Sequence, residues 1–181
     1  MEPLTARELF RLHVQQAEYL HVVLNPLVIY GLAVGSGALL VALLARSIPA
    51  QRLALGLVAF CALAAWPVAH YGETAYNQIL MLADEDGRAW LDAHRDRAAA
   101  TLPLFYATSA LAVLALVLPW KWPPTRLPFT VLALIMALGA LGCAAWVGYA
   151  GGKIRHKEFR YGPPPPSRWE GGGEEKALPA R

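Results

Sequence analysis

Apolar residues run in four long blocks along this chain, at about residues 22–44, 53–70, 98–118 and 127–150, and no Asp, Glu, Lys or Arg interrupts any of them. A helix crosses ~30 Å of hydrocarbon with about 20 apolar residues, so each block reads as one membrane-spanning helix. A buried helix of a soluble bundle carries a narrower apolar stripe opposite a polar face, and these blocks do not alternate in that way. The pattern predicts an all-α fold, a four-helix transmembrane bundle with both termini on the same side. The connections 46–52 and 119–126 are short, which makes helices 1 and 2, and helices 3 and 4, antiparallel neighbours. The longer polar stretch 71–97 is expected to hold a short interfacial helix that starts near Glu73. Some twenty residues, Glu2, Glu8 and Glu18 among them, precede the first block and no small-residue cleavage site follows it. That block therefore reads as a retained span and not as a signal peptide.

Composition agrees with the pattern. The chain is 56% apolar and 16% charged, well below the roughly 25% charged residues of soluble proteins. Its 181 residues suffice for one domain. Residues 1–160 are read as the membrane domain and 161–181 as a Pro/Gly-rich flexible tail, because Gly162 opens a run of four prolines and a three-glycine run begins at Gly171. Twelve of the sixteen Lys and Arg residues fall on the side of the termini and of the 71–97 loop. The positive-inside rule then places the termini in the cytoplasm of a bacterial inner membrane. The same loop is also acidic (Asp84, Glu85, Asp86, Asp92, Asp96), and the two short turns are basic for their length. The net charge of +3 is accounted for by the membrane surface. No nucleic-acid partner is expected, only the lipid bilayer and other membrane subunits or a second copy. The sequence offers no nucleophile motif and no phosphate loop, so no catalytic activity of its own is expected. Cys61 and Cys143 lie inside spans, in no CxxC or CxxCH motif, which argues against a disulfide framework and against covalently attached c-type haem. Trp120 and Trp122 around Lys121 read as an interfacial anchor. Gly31 with Gly35, and Gly148 with Gly152, have the spacing that lets helices approach closely, within the bundle or against a partner.

The polar residues of interest gather at one end. His21 opens the first span, with Glu18 and Asn25 on the same helical face. Pro26 has no N–H for the Val22 carbonyl, which frees an acceptor beside His21. His70 closes the second span, His94 precedes the third by about one turn, and His156 follows the fourth. All four spans thus bring a histidine to the side of the termini, with Glu73 and Glu158 in reach. Imidazole is a frequent ligand of transition metals and of haem iron, and a neighbouring amide or carboxylate can fix its tautomer. Two other readings stay open: headgroup-zone histidines that bind nothing, and a proton-relay or pH-sensing cluster.

Four short motifs resemble, in order, a group of uncharacterised bacterial four-span membrane proteins that carry a domain of unknown function. They are His21-Val-Val-Leu-Asn25, Gly72-Glu73-Thr-Ala75, Asp92-Ala-His94 and Gly151-Gly-Lys-Ile-Arg-His156. The resemblance covers about residues 13–160, and its most specific part is the closing motif. The chain departs from the pattern at Asp92 and at Pro26, and His70 matches no motif. The resemblance implies that His21, Asn25, Gly72, Glu73, His94, Gly151, Gly152, Arg155 and His156 are functional or architectural positions. Some relatives look like neighbours or fusions of cytochromes, which implies a redox role and favours the opposite orientation to the one the charges suggest.

Together these readings point to a haem- or metal-binding subunit of a membrane electron-transfer chain. Its ligands are expected from His21, His94 and His156, supported by Asn25, Glu73, Arg155 and His70. The cofactor would be b-type haem or a transition metal. The alternative is a non-catalytic accessory subunit of a larger membrane complex that holds no cofactor.

Overall fold

A computed structural model describes residues 5–166. Its regular structure is helical throughout: α1 (Ala6–His13), α2 (Ala17–Leu44), α3 (Ile48–Leu63), α4 (Ala65–Leu82), α5 (Glu85–Lys121) and α6 (Arg126–Arg155), with short 3-10 turns before and after α6. Four passes are long and apolar enough to cross a membrane: α2, α3 continued into α4, α5, and α6 with the turn before it. Their mean hydropathies lie between 1.9 and 2.3. The all-α four-pass bundle read from the sequence is therefore the fold. The three-glycine run at Gly171 and the charged end of the tail lie outside the described residues.

The passes are longer than the apolar blocks. No separate interfacial helix starts at Glu73; α4 runs on to Leu82, and α5 begins at Glu85 after a two-residue link. Two features explain the extension. Asp84 caps α5, its Oδ1 accepting from the Gly87 N–H at 3.0 Å. Polar side chains also pair across the two helices: Arg95 forks onto the Glu73 carboxylate, with Nε donating to Oε2 at 2.9 Å, and the Tyr76 hydroxyl donates to Asp92. Helices paired in this way can continue beyond the hydrocarbon.

Small side chains fill much of the interior, beside buried Leu32, Leu39 and Val58. Ala62, Ala112, Ala133, Ala137 and Ala140 are fully buried, while Val34, Leu44, Leu53, Phe60 and Ile135 are exposed on the outside. Lipid tails are as apolar as leucine, so membrane helices gain from close packing of small residues rather than from hiding large ones. Gly31 lies on Cys61, where a Cβ would overlap the sulfur, and Gly35 lies on Val58. The glycine face of α2 is thus used inside the bundle, against α3. Ser109 Oγ donates to the Ala59 carbonyl at 2.9 Å and joins α5 to α3.

Two arrangements position the candidate site. First, α2 packs on α4 and α6, and α5 packs on the same two helices. At this end of the bundle α2 and α5 form one diagonal, and α4 and α6 the other. Second, the segment after α6 is tied back over the α4–α5 link. The Arg160 guanidinium, 8% exposed, donates from Nη1 and Nη2 to the two Asp84 oxygens at 2.9 Å each. It also donates to the carbonyls of Lys153 and Ile154, each at 2.8 Å.

Candidate functional site

His21 on α2 and His94 on α5 face each other across the bundle. Their ring centres are 6.1 Å apart and their planes stand at 89°. Each ring is held by the same kind of contact. His21 Nδ1 lies 2.8 Å from the Val68 carbonyl of α4, and His94 Nδ1 lies 3.0 Å from the Val147 carbonyl of α6. A carbonyl only accepts, so both Nδ1 atoms carry the proton. In the neutral form of either ring the lone pair is therefore on Nε2. Both imidazoles are oriented by a backbone contact made through Nδ1.

Glycines make these contacts possible. A Cβ on Gly72 would sit 2.8 Å from His21 Nδ1, and one on Gly151 would sit 2.9 Å from His94 Nδ1. Both glycines stand four residues after the accepting carbonyl. On a helix that residue lies directly above the carbonyl, and its Cβ would cover the carbonyl's second lone pair. Without it, the imidazole edge reaches the oxygen.

The pair lines a cleft of about 70 Å³ that opens in part to the surface. Asn25 and Val28 continue the His21 face, and Ala98, Thr101 and Phe105 continue the His94 face. Ala65 and Ala69 line it from α4, and Ala144 and Gly148 from α6. The walls are mainly apolar and small.

The other candidate residues lie elsewhere. His156 is exposed beyond the end of α6, its Nδ1 2.8 Å from Glu158 Oε1 and its ring stacked on Phe159. It does not line the cleft. Arg155 is exposed on the last turn of α6. His70 is exposed between the rings of Trp66 and Tyr71. Glu73, expected beside a histidine, instead pairs with Arg95. Of the residues singled out from the sequence, the structure brings together His21, His94 and Asn25. Among the described residues, no group of three or more His, Cys, Asp or Glu side chains could hold a metal ion.

The sequence reading missed the carbonyls of Val68 and Val147. Every residue type carries a carbonyl, so composition offers no mark for them. The available signal was Gly72 and Gly151, both noted as motif positions without a physical role.

Electrostatics outside the spans centre on Asp84. The guanidinium of Arg160, then the ammonium of Lys157 at 2.9 Å, hold its carboxyl well below the usual range. Arg160 is raised in turn, chiefly by Asp84. Compared with protein-family models, with curated proteins and with solved structures, the chain matches none.

Proposed function

We propose that this chain is a b-type haem protein of the membrane, an electron-transfer subunit in which His21 and His94 would hold the haem iron. The facing imidazole pair carries the reading. A metal–imidazole bond is about 2.0–2.1 Å and the ring centre lies roughly 1.1 Å further on, so two rings sharing one metal would have centres about 6.2–6.4 Å apart. The observed separation is 6.1 Å.

The donor count favours haem over a bare metal ion. A zinc site takes three or four protein ligands, and among the described residues two imidazoles are paired here. A macrocycle that supplies the remaining donors completes the coordination. The absence of a CxxCH motif in the sequence makes the attachment non-covalent. Bound haem supplies a one-electron couple. The chain's own residues orient, shield and tune. The Val68 and Val147 carbonyls fix the tautomer and raise the basicity of the ligating nitrogens. The apolar walls limit water. Exchange of electrons requires other redox groups, so the reading includes membrane subunits or carriers as partners.

The test is the absorption spectrum of protein purified from cells supplied with haem. A Soret band and a narrow α band on reduction are expected at about one haem per chain. His21→Ala and His94→Ala should each abolish the low-spin spectrum, while His70→Ala and His156→Ala should leave it unchanged. A colourless wild-type preparation overturns the proposal.

A further inference from the structure

The two halves of the chain line the cleft with the same pattern. On α4 the run is Ala65, Val68, Ala69, Gly72; on α6 it is Ala144, Val147, Gly148, Gly151. The spacing is identical: alanine, then valine three residues on, a small residue next to it, and glycine three residues later. In both, the valine carbonyl accepts from a histidine and the glycine lies under that ring. The opposite helices match as well. His21, Asn25 and Val28 on α2, and His94, Ala98 and Thr101 on α5, all line the cleft at positions i, i+4 and i+7. The cleft is therefore made of two equivalent half-sites. Each takes its histidine from the first pass of one half and its carbonyl and glycine from the second.

This repeat sets an orientation. The histidines lie on the α2–α5 diagonal, so a flat group held between them stands across that line. Its broad faces look toward α2 and α5, and its edges run into α4 and α6. The edge positions are the ones the repeat keeps small: Ala65 and Ala69 on one side, Ala144 and Gly148 on the other. Packed interiors tolerate few added methylenes, so side-chain size there decides what enters.

Resting on the bis-histidine reading, we propose that the cleft is a two-fold slot for a flat, thin-edged macrocycle, in which Ala69 and Gly148 are positioning residues that set the clearance at its two edges. The two half-sites differ at Asn25 and Ala98. The amide of Asn25 distinguishes one broad face of the slot from the other.

The experiment uses full-length protein, freed of any haem and reconstituted with iron porphyrins in detergent. Wild type should take up iron octaethylporphyrin, which has flexible ethyl edges, at least tenfold more tightly than iron meso-tetraphenylporphyrin, whose phenyl groups stand out of the ring plane and thicken every edge. Ala69→Leu and Gly148→Leu should each lower uptake of the first at least tenfold. Gly142→Leu, on an open face of α6 with nothing within 4 Å, should not. Equal uptake of both porphyrins by wild type overturns the slot. So does full uptake by both leucine variants. If neither porphyrin binds wild type, or if His21→Ala binds both as well as wild type does, the bis-histidine reading has failed and the slot falls with it. The arm that uses wild type alone does not depend on how the variants fold.

Discussion

At the scale of single residues, the site depends on two side chains that are absent. Gly72 and Gly151 lie under the imidazoles, where a methyl group would meet Nδ1 at 2.8 and 2.9 Å. Gly72→Ala and Gly151→Ala should each push a ring off its carbonyl and release its tautomer. The expected result is a severalfold fall in haem-to-protein ratio with unchanged helical circular dichroism; an unaltered ratio in both variants would remove the glycines from the argument. This also explains what the sequence could and could not reveal. His21 and His94 were marked in the sequence by their place at span ends and by the chemistry of imidazole. His156 looked equal to them because it shares the closing motif. Its ring, however, lies beyond the helix end on Phe159, and the motif's structural contribution comes from Gly151. A backbone acceptor 47 residues away from His21 has no local mark at all.

At the scale of elements, the spans were legible and their ends were not. Apolar blocks report the part of a helix that lies in hydrocarbon. They do not report how far the helix continues in water, and here α4 and α5 continue because Glu73 meets Arg95, Tyr76 meets Asp92, and Asp84 caps α5. Asp84 is also the point where the segment after α6 is fastened. Its folded-state pKa is depressed by Arg160 and Lys157, so its contribution is complete above the ordinary carboxylate value and is lost as pH falls through the folded value. Asn can still cap the helix, so Asp84→Asn isolates the charge. In detergent, the mutant should melt about 2–4 °C below wild type at neutral pH, the size expected for roughly 1 kcal/mol from a partly exposed network. The gap should hold down to about pH 5 and close progressively below about pH 4. A gap that persists unchanged at pH 3 would show that the ionic contacts do not cause it.

At the scale of the whole molecule, four passes make two halves that meet at one site. The bundle and its antiparallel neighbours were readable from block length and turn length. The equivalence of the halves was not, because it rests on four small or aliphatic residues per half, Ala65 to Gly72 and Ala144 to Gly151, that any apolar span could contain. Only the shared contacts to His21 and His94 give the spacing a meaning.

The position of the imidazole pair along the bundle has an electrical consequence. His21 is four residues from the start of α2, and about 23 residues, some 35 Å of helix, separate it from the other end. A haem held there, as proposed, would make the molecule a terminal and not a wire. Charge would enter and leave on the side of the termini, and the far half of the bundle would insulate. In vesicles with every copy oriented alike, a membrane-impermeant reductant should bleach the oxidised spectrum from that face only, within seconds. Equal rates from both faces would mean that a second relay crosses the bilayer.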